Sequence, residues 1–194
     1  PFNGEADLAN RVVRVLHDKS FNDDATRILR GIRYEQRLTF AFDQNTIALV
    51  RRDIPMLDTI SGDRVRHEVE RWFMEPKVAE ILDRAEDLGV LHAIYPGFPW
   101  SQSLRQQFLK AQQEAQGIPD PRVYLAILAF SMPQEACTGL MHRLSMAGAW
   151  TKVIEDASKL RERLPDLQKD KLSPSHIYRT LQCLNEFSLK GCLI

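Results

Sequence analysis

The chain has 194 residues, with 26 basic side chains against 26 acidic ones and a formal net charge of zero. That length buries a substantial core as one domain or two small ones, and the composition excludes collagen-like, disordered and low-complexity chains. Neutrality also excludes a protein that grips polyanions with its whole surface, yet residues 11–52 carry nine Lys and Arg against five Asp and Glu, so a polyanion site is expected there.

In chain order, R-V-V-R-V-L-H (Arg11 to His17) is the one stretch with strand-like alternation, and it predicts a short strand or an extended connector. Ser20 to Leu38 has helical periodicity throughout. Asp43 is a candidate cap for a helix over 44–52, and Ser61 for one running to about Met74. Pro76 suits the first turn of a helix closed by Gly89. Residues 91–100, with Pro96, Gly97 and Pro99, predict a loop between two parts of the chain. Five further amphipathic helices are expected over 102–116, 121–130, 133–144, 150–164 and 174–184, the last capped by Ser173. Leu125, Leu128, Ala129 and Met132 recur at helical spacing and are read as core. The fold class is therefore all-α, a multi-helix neck and body with at most one short N-terminal strand.

The segment from Ser20 to Leu38 is the most informative. Placed on a helix, Asp23, Arg27, Arg30, Arg33 and Arg37 fall on one side, and Phe21, Ala25, Ile28, Leu29 and Ile32 on the other. Guanidinium offers a planar fork of donors that matches phosphate oxygens and base edges. The plainer alternative is a solvated face tied by Asp23 to Arg27 at i,i+4. Against that alternative, every cation on the face is Arg, and Gly31 sits mid-helix at a cost of about 1 kcal/mol relative to Ala. A glycine tolerated there suggests a close neighbour.

S-F-N-D-D-A-T-R-I-L-R-G-I-R-Y (Ser20 to Tyr34) resembles the nucleotide-recognition motif of the tRNA nucleotidyltransferase (CCA-adding enzyme) and bacterial poly(A) polymerase family. Upstream, P-F-N-G with D-L-A-N-R-V-V-R-V-L-H resembles the exit from that family's catalytic head. Downstream, I-P-M-L-D-T-I-S-G-D-R-V-R-H-E-V-E (Ile54 to Glu70) is similar to its next helix. The resemblance implies three parts: 1–18 as the exit from a catalytic head that the chain lacks, 19–75 as a neck with the recognition and bracing helices, and 76–194 as a helical body or tail that binds RNA. It also implies that Asp24 and Arg27 template the incoming CTP or ATP, with Arg30 placed for the triphosphate. Arg33 would join the nucleotide site, and Arg37 would support the nucleotide or the RNA backbone. Asp23 stands where the family often has Glu. Arg64 and Glu68 resemble a supporting motif that braces the recognition helix; an ordinary i,i+4 surface pair remains the alternative.

Nucleotidyl transfer needs metal-binding carboxylates on a rigid scaffold, which the resembled family draws from Gly-Ser followed by Asp-x-Asp. Neither occurs here. No catalytic residue and no metal ligand is assigned, Mg²⁺ is expected at the separate head, and the chain alone is expected to be inactive although the full protein would be a nucleotidyltransferase. His17, His67, His92, His142 and His176 are scattered without metal-ligand spacing. Arg51 and Arg52 are read as complementing a helix C-terminus. Cys137, Cys183 and Cys192 form no C-x-x-C pair and predict free thiols. With no apolar run long enough to span a bilayer, a cytoplasmic protein is expected. Its partners would be tRNA or another RNA 3′ end, ATP or CTP, and its own head. A helical protein-interaction domain and a non-catalytic RNA-binding relative remain as alternatives.

Overall fold

The computed structural model describes residues 3–167 and 173–194. Pro1 and Phe2 lie outside the described residues. Those described form thirteen α-helices and one two-stranded parallel sheet, in agreement with the all-α expectation. The chain divides into two compact units, one running to Trp100 together with Arg143–Ser145, the other comprising Ser101–His142 and Met146–Ile194.

The first unit opens with α1 (Gly4–Ala9) and β1 (Val12–Val13), where a strand or connector is expected. β1 pairs in parallel with β2 (Ala41–Phe42), whose two residues carry no sequence signal of their own. The segment from Ser20 to Leu38 is not one continuous helix. It splits into α2 (Ser20–Asp23) and α3 (Thr26–Leu38), with Asp24 extended between them at φ −156°, ψ 101°. The physical reason is Asp24 itself: its Oδ1 accepts from the Thr26 N–H at 3.0 Å and the Thr26 hydroxyl at 2.6 Å. A short acidic side chain bonding the backbone two residues on competes with helix continuation.

α4 (Gln44–Asp53) starts where predicted, with Asp43 accepting from the Thr46 N–H at 2.7 Å. A 3₁₀ turn (Ile54–Thr59) leads into α5 (Gly62–Phe73), capped at Ser61 through its backbone without a side-chain bond. α6 (Val78–Asp87) begins two residues beyond Pro76, and Gly89 follows it in the left-handed region at φ 78°. The loop expected over 91–100 is helical at its start. Leu91 and Ile94 belong to α7 (Val90–Ile94) and are buried, because apolar residues at i and i+3 seal the core whatever turn residues follow. Ile28, Leu29 and Ile32 of α3, Val65, Trp72 and Phe73 of α5, and Ile81 and Leu82 of α6 form the centre of this unit. The indole N–H of Trp72 donates to the Leu29 carbonyl at 3.1 Å.

The second unit holds α8 (Gln102–Glu114), α9 (Pro121–Ser131), α10 (Gln134–Arg143, whose last residue counts with the first unit), α11 (Ala149–Leu167), α12 (Pro174–Leu181) and α13 (Glu186–Leu193). α9 is central, and Leu125, Leu128, Ala129 and Met132 are buried as expected. α11 runs two residues past Pro165, and α13 lies outside the helices expected from the sequence. α13 is announced only by Asn185, which accepts from the Phe187 N–H at 2.8 Å. A Cβ on Gly191 would come within 2.6 Å of the Ala126 Cβ, so glycine lets α13 sit against α9. The buried Asp156 of α11 accepts from Lys152 at 2.6 Å and from the Asn185 N–H at 2.9 Å, fixing the start of α13.

Candidate nucleotide and RNA interface

The arginines of α3 have unequal surroundings. Arg27 is exposed and its Nη1 donates to the Ser20 carbonyl at 3.1 Å. Arg30 is exposed with no polar partner among the described residues. Arg33 is buried, its guanidinium 3.2 Å from Glu75 and 3.6 Å from Glu68. Arg37 is mostly exposed and lies 3.6 Å from the same Glu75. The expected row of solvent-facing guanidiniums is thus interrupted, because α5 and the turn after it place two carboxylates over the middle of α3.

Gly31 does have a close neighbour. A Cβ there would lie 2.9 Å from the tip of the Phe42 ring. Phe42 is held by its own N–H, which donates to the buried Glu35 at 2.9 Å, and Glu35 takes a two-pronged contact from Arg84 at 2.8 and 3.2 Å. Glu35, Glu75 and Arg84 were missed in the sequence. Glu35 carried a signal, since it continues the Ile28, Ile32 stripe at i+3, where a charge implies a buried partner. Glu75 carried none.

Arg64 and Glu68 do not pair with each other. Arg64 reaches Asp24 at 2.9 Å, whereas Glu68 reaches Arg33 on one side and Arg71 on the other. Asp23 does not pair with Arg27; it lies 3.6 Å from His17, because the break at Asp24 removes the i,i+4 relation. Asp24 precedes the helix that carries Arg27, and its carbonyl accepts from the Arg27 N–H at 3.1 Å. Arg52 bonds Asp53 and the Asp18 carbonyl, so it ties α4 to the start of α2 in addition to sitting at a helix C-terminus. Arg66 and His67 face Asp63, and Arg66 also Glu70.

All three donors on Asp24 converge on Oδ1, namely the Thr26 N–H, the Thr26 hydroxyl and Arg64 Nη2. Oδ2 has no donor among the described residues. Partial burial pushes this carboxyl up, but the Thr26 hydroxyl and N–H and the Arg64 guanidinium together outweigh it and hold the group below its ordinary range. Asp24 is therefore a fixed anion with one open acceptor.

Two depressions flank the exposed part of α3. A niche of about 390 Å³ is bordered by Arg27, Arg30, Phe21, His17 and Tyr34 and is mostly apolar. A wider open cleft of about 770 Å³ brings Arg30, Arg33 and Arg37 together with Arg71 and Lys77. Asp23, Asp24, Arg64 and Glu68 border neither.

Residues 39–101 match the family described as the probable RNA and SrmB-binding site of polymerase A. Over 98% of its length the chain is 35% identical to an A-adding tRNA nucleotidyltransferase of Halalkalibacterium halodurans, of which it spans 44%. The chain belongs to the tRNA nucleotidyltransferase family. It also superposes on a Thermotoga maritima CCA-adding enzyme complexed with tRNA (TM-score 0.78, 25% identity, all of this chain and 49% of that one). A CCA-adding enzyme in complex with CTP matches equally well (TM-score 0.78, 25% identity, 99% of this chain and 48% of that one). The segment thus spans about half the length of the relatives it matches, and it contains the RNA-binding region of a tRNA nucleotidyltransferase. Among the described residues no three His, Cys, Asp or Glu are placed to hold a metal ion, and no helix is long and apolar enough to cross a membrane.

Proposed function

We propose that this chain selects the incoming nucleotide and holds the RNA 3′ end for an enzyme that adds nucleotides there, with the transfer itself carried out on a separate catalytic head that supplies the Mg²⁺-binding carboxylates. The observation that carries the reading is the state of Asp24. Thr26 and Arg64 saturate Oδ1 and leave Oδ2 as a charged acceptor without a donor. The exocyclic amine of cytosine or adenine is a donor of the matching kind, and the uracil and guanine carbonyls at the same ring position are not.

Arg27, at the rim of the apolar niche, donates to the ring nitrogen or carbonyl beside that amine. Arg30, exposed and without a polar partner among the described residues, takes the triphosphate. Arg33 serves the site from below: buried against Glu68 and Glu75, it fixes the pitch of α3 rather than meeting the nucleotide. Arg64 acts through Asp24, and Glu68 through Arg33; both are positioning residues. The chain alone, mixed with Mg²⁺, tRNA and ATP or CTP, incorporates nothing.

The test is steady-state incorporation of ATP, CTP, GTP and UTP by the full-length protein carrying Arg27→Ala or Arg37→Ala. Arg27→Ala is expected to relax the choice among the four, since a good bidentate base contact supplies about 1–3 kcal/mol of discrimination. Arg37→Ala is expected to weaken binding with base preference unchanged. Equal loss in both variants with selectivity intact would show that Arg27 is only part of a general phosphate grip.

A further inference from the structure

The nucleotide reading draws only on Arg30 and Arg37 of the larger cleft and leaves the rest of it unused. Its lining carries five cations, from Arg30, Arg33, Arg37, Arg71 and Lys77, against the single carboxylate of Glu75. These charges come from α3, from the end of α5 and from the turn before α6, so the fold gathers them from separate stretches of chain. Arg37 and Arg71 keep more than half of their side chains in solvent, although each touches one glutamate. Lys77 is anchored by Thr39, whose hydroxyl accepts from Nζ at 2.6 Å.

At the base lies Arg33, more than nine-tenths buried, and its Nε has no hydrogen-bond partner among the described residues. A buried donor left unpaired costs free energy that an acceptor entering the cleft recovers. Tyr34 forms part of the wall, with the Arg33 guanidinium 4.7 Å from its ring centroid. Cations that track a backbone beside an aromatic ring are the recurring parts of single-strand binding.

We infer that this cleft is a second phosphate site, sharing Arg30 and Tyr34 with the niche beside Arg27, and that it takes the phosphodiester backbone of a single-stranded RNA end. Phosphate chemistry alone fits a nucleotide triphosphate too. RNA is favoured because the cleft has about twice the volume of the niche and because Arg71 and Lys77 fall inside the region that matches an RNA-binding family. The assignment rests on the RNA-holding half of the proposed function and is independent of how the base is read.

Arg71 and Lys77 are the residues to change, since neither belongs to the nucleotide site. Fluorescence anisotropy of a short labelled single-stranded RNA is measured against salt for the wild-type chain and the double variant Arg71→Gln/Lys77→Gln, with ATP and CTP binding followed in parallel. The expected result is a salt slope shallower by about 1.4, from two lost contacts at about 0.7 each, and unchanged ATP and CTP affinity. The charge-preserving variant Arg71→Lys keeps the wild-type slope. RNA binding and slope identical to wild type in the glutamine variant would overturn the cleft assignment and leave the base-reading proposal standing. Parallel loss of ATP and CTP affinity would overturn the RNA assignment in favour of a triphosphate. A wild-type chain that binds no RNA would overturn both the cleft and the RNA-holding reading.

Discussion

The two halves of α3 use the same side chain for opposite ends. At its start, Arg27 and Arg30 are exposed, and Asp24 just before the helix offers an open oxygen. One turn on, Arg33 is sunk between Glu68 and Glu75 while Glu35 is locked to Arg84 and the Phe42 backbone. A row of arginines at helical spacing is therefore not one site. The carboxylates supplied by α5 and the following turn decide which guanidinium holds the helix and which is left for a ligand.

The largest expected effect comes from breaking the buried half. Arg33→Met leaves Glu68 and Glu75 facing each other's surroundings without their shared cation, and removing one partner of a buried pair typically costs about 3–5 kcal/mol. Urea unfolding of the first unit should show a loss near the lower end of that range, since Arg37 and Arg71 still touch the two glutamates. A loss below about 1 kcal/mol would mean the pair is a surface contact in effect.

A smaller effect is expected at the contact that separates the halves. Gly31→Ala gains about 1 kcal/mol of helix propensity but drives a methyl into the buried Phe42 ring, and overpacking costs about 1–3 kcal/mol. A net loss of about 1 kcal/mol is predicted, and it should vanish when Phe42→Leu is added. Additivity of the two changes in thermal melts would remove Phe42 as the reason for the glycine.

The smallest effect lies at the open half. Arg64→Ala removes one of the donors that hold the Asp24 carboxyl low, so the Asp24 midpoint followed by NMR should rise. Because the folded pKa is depressed, Asp24 stabilises the fold above its unfolded value, and this contribution disappears as pH falls through the folded pKa. In Arg64→Ala the acid-induced loss should be smaller and complete at higher pH. An unmoved midpoint would show that Thr26 alone sets the carboxyl.

Much of this was legible in the sequence. The helices α4, α5, α8 and α9, the Asp43 cap, the glycine after α6 and the apolar stripe of α9 follow from local periodicity and capping chemistry. The close approach at Gly31 was also implied, though Phe42 was not identifiable as its partner, because a two-residue parallel strand leaves no pattern. The break at Asp24 was hidden for a different reason. An aspartate inside a helical period reads as part of the polar face, and only its bonds to Thr26 show that it ends one helix and starts the next. Partner choice was the least legible. Arg64 and Glu68 have the spacing of a local pair, yet each reaches a different residue of the preceding segment, a preference set by tertiary packing.

One measurement tests the division of α3 most directly: Arg27→Ala and Arg33→Met in the full-length protein, each assayed for melting temperature and for relative incorporation of the four nucleotides. The account predicts that Arg27→Ala keeps the wild-type melting temperature and loses preference for CTP and ATP, whereas Arg33→Met lowers the melting temperature by several degrees and leaves the preference of the still-folded protein in place. Arg27→Ala with wild-type preference, or with a melting temperature as low as that of Arg33→Met, would contradict it.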